Sequence, residues 1–170
     1  MFEKIDIYDK PLKIFNMIDK DWMLVTAGDI NNHNTMTASW GGFGILWHNP
    51  VATIYIRPQR YTRQFLDSNK YFTLSFYNKK YKDILQFCGT VSGRNVNKDE
   101  KTKLTPQIFG NGIAYKESCF VVVCEKQYRG LMDSSFILKQ QILDSFYKEN
   151  DFPYIYIGKI IETYILKPNV

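Results

Sequence analysis

Two histidines, three cysteines and widely spread charge are all that this chain offers to several common chemistries. His33 and His48 are too few for a histidine-rich metal site. Cys88, Cys119 and Cys124 are odd in number and show no CxxC or Cys/His spacing, so neither a disulfide framework nor a zinc ligand set is expected. Cys119 and Cys124 bound the apolar run CFVVVC, where free cysteine behaves as a small hydrophobe. All three read as reduced core residues of a cytoplasmic protein. No apolar run approaches the roughly 20 residues of a spanning helix, so no membrane segment is expected. Asp6, Asp9 and Lys10 interrupt the stretch that a signal peptide would need apolar. The net charge is +5, yet no dense basic run marks a nucleic-acid surface. No GxSxG elbow, phosphate-binding GxxxxGK loop or GxGxxG fingerprint occurs. A nicotinamide would therefore have to bind without a Rossmann domain.

What remains suits one soluble domain over residues 1–170. Aromatic residues reach 16%, more ring surface than a minimal core needs. A β-rich core accounts for part of this, and a ligand site or a subunit interface for the rest. Strands are predicted at Trp22 to Ala27, Met36 to Trp47, Val51 to Ile56, Tyr71 to Tyr77, within Ala114 to Tyr128, and at Tyr154 to Leu166. The second is interrupted by Gly41, Gly42 and Gly44, and the last bends at Gly158. Helices are predicted at Thr62 to Asn69, capped by Thr62, and at Asn78 to Cys88, ended by Gly89. A third falls within Asp133 to Glu149. Val91 to Lys103 reads as a loop or short lid, and the first 21 residues as a mixed lead-in. The fold class is mainly β with inserted helices: a closed or partly closed antiparallel barrel.

Asn34 to Thr62 carries the densest chemistry. Arg57, Arg60 and Thr62 lie where a strand ends and a helix begins, which suits a phosphate. On composition alone the plainer reading, two surface arginines and a helix cap, stands slightly ahead. Thr37, Ser39 and the Gly41-Gly42 pair suit the polar edge of a flat ring, with Trp40 or Trp47 beside it. A core strand with bulges is the commoner explanation of any single Gly or Trp here. Ser92, Gly93 and Arg94, with Lys98 nearby, form a second anion-friendly cluster. A phosphorylated flavin has both a phosphate and a flat ring.

TMTASWGGFGILW, NPVATIYIRPQRYT and FTLSFYNKKYKDILQFCGTVSGR, in that order, resemble the flavin reductase-like, flavoredoxin-type family, whose fold is the FMN-binding split β-barrel. The resemblance runs from about Trp22 to the closing strand. It implies a six-stranded Greek-key barrel that forms homodimers, with FMN bound noncovalently near the dimer interface. It places Thr37, Ala38, Ser39 and Trp40 along the flavin. Arg57, Gln59, Arg60, Tyr61 and Thr62 would hold the phosphate and ribityl end. Ser75 and Phe76 would meet the cofactor from the next strand. Ser92, Gly93, Arg94 and Lys98 would close over it. Many relatives carry a His shortly before the last strand, where this chain has Asp151-Phe152-Pro153-Tyr154; Lys159 stands where Glu is usual. The implied activity is NADH- or NADPH-dependent reduction of FMN, with electrons passed to a flavin or protein acceptor. An FMN electron carrier without enzymatic turnover is the second reading. A cofactor-free module for an anionic polymer is the third.

Overall fold

Phe72, Leu74 and Phe76 alternate with Thr73 and Ser75, and strand geometry sends the two sets to opposite faces. That alternation recurs along the chain and organises the sheet. The computed structural model describes residues 1–167. In chain order these form β1 (Phe2–Ile5), β2 (Met23–Gly28), β3 (His33–Ala38), β4 (Gly41–Leu46) and β5 (Asn49–Ile56), followed by α1 (Thr62–Ser68) and β6 (Tyr71–Phe76). Next come α2 (Lys82–Thr90), α3 (Lys98–Thr102), β7 (Pro106–Phe109), β8 (Gly112–Tyr115) and β9 (Phe120–Leu131). The chain closes with α4 (Gln140–Phe146) and β10 (Tyr154–Leu166).

The main sheet runs β3-β2-β6-β9-β10-β5-β4, with β1 added to the far half of β10. All its pairings are antiparallel. Val25, Met36, Ile54, Leu74, Val122 and Tyr156 come from six of these strands and meet in one buried cluster. A sheet whose inner face packs on itself in this way is curled into a barrel. β3 and β4 end the path without pairing, although only Ser39 and Trp40 separate them in the chain. The split lies at that seam. Outside the barrel, Thr73 donates to the Ile113 carbonyl and Ser75 shares a hydrogen bond with Tyr77. Leu24, Tyr77, Leu85, Cys88, Leu104 and Tyr115 form a second small core under α2.

Several boundaries differ from expectation for local reasons. The strand predicted over Met36 to Trp47 is two strands, broken at Ser39-Trp40 rather than within the glycines. The following turn is Trp47-His48, both at positive φ (50° and 57°), and not Asn49-Pro50. Pro50 lies in β5 opposite Ile45. Helix α2 runs through Gly89 to Thr90, because side chains from elsewhere take up its last carbonyls. Thr62 does not cap α1: no side-chain cap bond forms there, and its hydroxyl accepts from Asn34 Nδ2 at 2.7 Å. The 133–149 region holds only the short α4 and a turn of tighter helix. Eight strands join the sheet rather than six. β1 hides from a pattern search because FEKI has no apolar alternation, and the open edge of β10 recruits it. The bend at Gly158 is present as a register shift against β9.

All three cysteines are free. Burial pushes the Cys88 thiol up to about 11 and raises Cys119 and Cys124 as well, which keeps them protonated and unreactive. Among the described residues no helix is long and apolar enough to cross a membrane, and no cluster of three or more metal-ligating side chains forms.

Candidate functional site

β5 ends at Ile56, Pro58 bars its continuation, and the chain tightens at once, with Arg60 N–H bonding the Arg57 carbonyl at 3.1 Å. That turn sets Arg57, Gln59, Arg60, Tyr61 and Thr62 along one wall of a cleft. Asn34 and Met36 of β3 face it, with Thr90, Val91, Ser92, Gly93 and Lys98 from the α2–α3 connection. The cleft encloses about 470 Å³. A smaller hollow of about 240 Å³ adjoins it, sharing Met36, Arg57 and Arg60. Thr37, Ala38, Ser39, Trp40 and Tyr55 complete its lining. One end of the combined groove is therefore cationic and hydroxylic, and the other is formed by a strand edge and a tryptophan.

The cationic end is crowded with like charge. Burial lowers the Arg60 pKa, and the Arg57 guanidinium lowers it further. Burial brings Lys98 down to about 8; Arg60 adds to that effect while Cys88 opposes it. No carboxylate lines either part of the groove. Asp151 stands behind the wall and accepts from Arg57 and from Gln59 Nε2, the latter at 2.9 Å. The Gln59 hydrogen bond, then Arg57, hold its carboxyl below the usual range against its partial burial. Arg57 also donates to the Phe146 carbonyl and lies 5.6 Å from the Trp40 ring centre.

Donors remain unspent at this end. Arg60 gives one N–H to the Gly89 carbonyl. Lys98 Nζ donates to the Thr35 carbonyl at 2.7 Å and the Cys88 carbonyl at 2.8 Å, leaving its third N–H. The Thr62 hydroxyl accepts from Asn34 and has no acceptor for its own proton among the described residues. Gly93 brings the loop in closely: a Cβ there would stand 1.9 Å from Asn34 Oδ1 and 3.2 Å from the Tyr61 ring. Crowded cations, surplus donors and a close backbone fit a phosphate monoester, and the adjoining hollow fits a flat ring.

The structure brings Thr37, Ala38, Ser39, Trp40, Arg57, Gln59, Arg60, Tyr61, Thr62, Ser92, Gly93 and Lys98 together on this groove. Arg94 lies in the neighbouring polar cleft, its guanidinium over the Tyr61 ring and one N–H on the Gln59 carbonyl. Ser75 and Phe76 are not brought to the groove. Phe76 is packed inside the barrel, and Ser75 is sealed on the other face against Tyr77. Sequence reasoning does not find Asn34, Met36 and Tyr55. Asn34 and Met36 share the alternation of β3 with Ala38, and Tyr55 lies two residues before Arg57.

Lys98 makes the anion affinity of this groove depend on pH. A phosphate monoester gains its second charge near pH ~6, and Lys98 loses its own near pH 8. Affinity for a phosphorylated ligand is therefore expected to peak between these values and fall as pH climbs through about 8. Binding above that value takes up a proton. Calorimetry in two buffers of different ionisation heat reads this uptake directly.

Residues 18–159 match the flavin reductase like domain. No curated protein shows significant similarity in sequence. Among solved structures, the flavoredoxin of Methanosarcina acetivorans aligns with a TM-score of 0.69 at 17% identity, over 99% of this chain and 78% of that one. An FMN-binding domain of a flavin reductases-like enzyme from Shewanella baltica OS155 aligns at 0.69 and 14%, over 97% and 77%. The NADH:FAD oxidoreductase of Streptomyces globisporus C-1027 aligns at 0.61 and 13%, over 84% and 74%. At these identities the structures establish a shared split-barrel fold. With the domain match spanning most of the sequence, the chain belongs to the flavin reductase-like domain family.

Proposed function

We propose that this protein binds FMN noncovalently and works as an NAD(P)H-dependent oxidoreductase that hands electrons to a flavin or protein acceptor. The observation that carries the proposal is the groove itself: Arg57, Arg60 and Lys98 crowd together without a lining carboxylate, beside a hollow walled by Thr37 to Trp40. Arg60, Lys98, Thr62 and Ser92 would hold the phosphate. Thr37, Ala38, Ser39 and Trp40 would line the ring. Asp151 keeps Arg57 and Gln59 in place from behind. When bound, FMN supplies the hydride and single-electron chemistry, and the protein supplies seat, ring environment and access.

The chain's own acid–base equipment near the ring is sparse. In the Asp151-Phe152-Pro153-Tyr154 segment, where the family resemblance implies a His, this chain has none, and Asp151 is tied to Gln59 and Arg57, which hold its carboxyl below the usual range. That observation favours the second reading, an FMN carrier between protein partners. Oxidation of NADH or NADPH by the FMN-loaded protein separates the two. Turnover with either nicotinamide supports the reductase; stable FMN binding without turnover replaces it with the carrier.

The same reading includes a homodimer. Trp40, Ile45 and Trp47 are 37%, 62% and 58% exposed along and beside edge strand β4. Sedimentation at a dimer mass supports it, and a monomer at all concentrations removes it. Three protonated thiols suit a reducing compartment such as the cytoplasm.

A further inference from the structure

His33 begins β3 beside the polar cleft that adjoins the groove. Its side chain is only 9% exposed. Nδ1 lies 2.9 Å from the Asp29 carbonyl oxygen, and Nε2 lies 2.9 Å from Asp99 Oδ2. Both partners are acceptors. A neutral imidazole has one N–H and can donate to only one of them. An imidazolium carries an N–H on each nitrogen and donates to both, and imidazole, being more basic than a carboxylate, is the partner that keeps the shared proton. The two contacts together favour the charged form of His33. The other oxygen of Asp99 accepts from the Tyr115 hydroxyl at 2.9 Å.

Asp99 sits on α3, and that helix is only five residues long. A helix this short does not hold itself together and depends on its ties to the rest of the fold. Asn97 caps its start, accepting from the backbone N–H groups of Asp99 and Glu100. The ties to the rest of the fold are side chains: Asp99 to His33 of β3 and Tyr115 of β8, and its neighbour Lys98 to the carbonyls of Thr35 in β3 and Cys88 in α2. The residue that lines the groove and the residue that binds His33 are adjacent on the same turn.

We propose that His33 and Asp99 are positioning residues whose ion pair latches α3 against β3 and so seats Lys98 in the groove, and that the latch loosens when His33 becomes neutral. The latch belongs to the ligand-free protein; only its effect on ligand affinity rests on the FMN reading.

The charged and titratable groups around His33 are Asp99 and Lys98 from α3, Asp29 from its own hairpin and Tyr115 from β8. Arg94 lines the same cleft. The Asp99 hydrogen bond is the main influence and raises the histidine pKa; burial works against it but does not prevail. The folded value thus lies above the ordinary one of ~6.5. The latch's contribution is complete below about pH 6.5 and disappears as pH rises through the raised value.

The test uses the ligand-free protein. NMR follows the two histidine rings against pH, with His33→Gln assigning the signals. Backbone exchange at Lys101 and Lys103, whose N–H groups bond Asn97 and Asp99, reports opening of α3. After correction for intrinsic exchange, wild-type protection should fall about tenfold between about pH 6 and about pH 8.5, while in His33→Gln it stays within about twofold. Asp99→Asn should return the His33 titration to the ordinary value or below. His33 titrating at or below ~6.5 in the wild type, or pH-independent protection of α3, overturns the latch. FMN affinity mixes in the titration of Lys98, so the ratio of wild type to His33→Gln is the quantity to follow. It should shrink over the same interval. Protection that follows His33 in a protein taking up no FMN supports the latch and overturns the cofactor reading instead.

Discussion

Replacing Arg60 and Thr62 together by alanine is expected to weaken FMN binding about 30- to 1,000-fold, equivalent to about 2–4 kcal/mol. Arg60 brings a charge and unspent N–H groups, and Thr62 a hydroxyl whose proton has no acceptor among the described residues. The double variant also loses two structural ties, Arg60 to Gly89 and Asn34 to Thr62. Riboflavin, which lacks the phosphate, separates the two effects. The wild type should prefer FMN to riboflavin strongly, and the variant should lose that preference rather than all flavin affinity. Lys79 and Lys80 stand on an exposed turn away from the groove. Alanine at both should change FMN affinity by no more than about twofold. Equal losses in the two double variants would remove the phosphate seat from the RPQRYT turn.

The largest effect on stability is expected at Gly158. A Cβ there would stand 2.6 Å from two atoms of the Phe72 ring and 2.7 Å from Cys124 Cβ. Neither neighbour has room to retreat, since Phe72 is 1% and Cys124 0% exposed in the barrel core. Gly158→Ala should cost about 3 kcal/mol or more, at the upper end of overpacking. At Gly42, in β4, an added Cβ would meet nothing within 4 Å. Gly42→Ala should be neutral or stabilise by roughly 0.5–1 kcal/mol, because alanine gives up less chain entropy in a strand. Urea unfolding of both variants measures the contrast. A mild Gly158→Ala would mean that β10 does not cross the barrel as closely as described.

Local chemistry explains which parts were legible in the sequence. The RPQRYT turn was readable because proline ends a strand and polar residues cluster after it. The inner face of β6 was readable because alternation is local. Ser75 and Phe76 went astray because both faces of β6 are buried, one in the barrel and one under the β7–β8 hairpin, so neither reaches the groove. Alternation says that two faces exist; it does not say what covers each. The neighbours of the cations were invisible for another reason. Arg60 meets Gly89, Lys98 meets Thr35, and Arg57 meets Asp151, at separations of 29, 63 and 94 residues. These partners decide how many donors remain for a ligand, and only the closed fold brings them together. The partner of His33 is hidden for the same reason, with Asp99 lying 66 residues away.

The groove between the Arg57–Thr62 turn and the Ser92–Lys98 segment is the proposed seat of FMN. Titration of purified, flavin-free protein with FMN, followed by the visible flavin band and by flavin fluorescence, tests it most directly. A saturable spectral change at one FMN per chain, with riboflavin binding far more weakly, is the result expected. A protein that stays colourless and leaves the FMN spectrum unchanged would contradict the account and return the basic groove to a ligand of another kind, such as an anionic polymer.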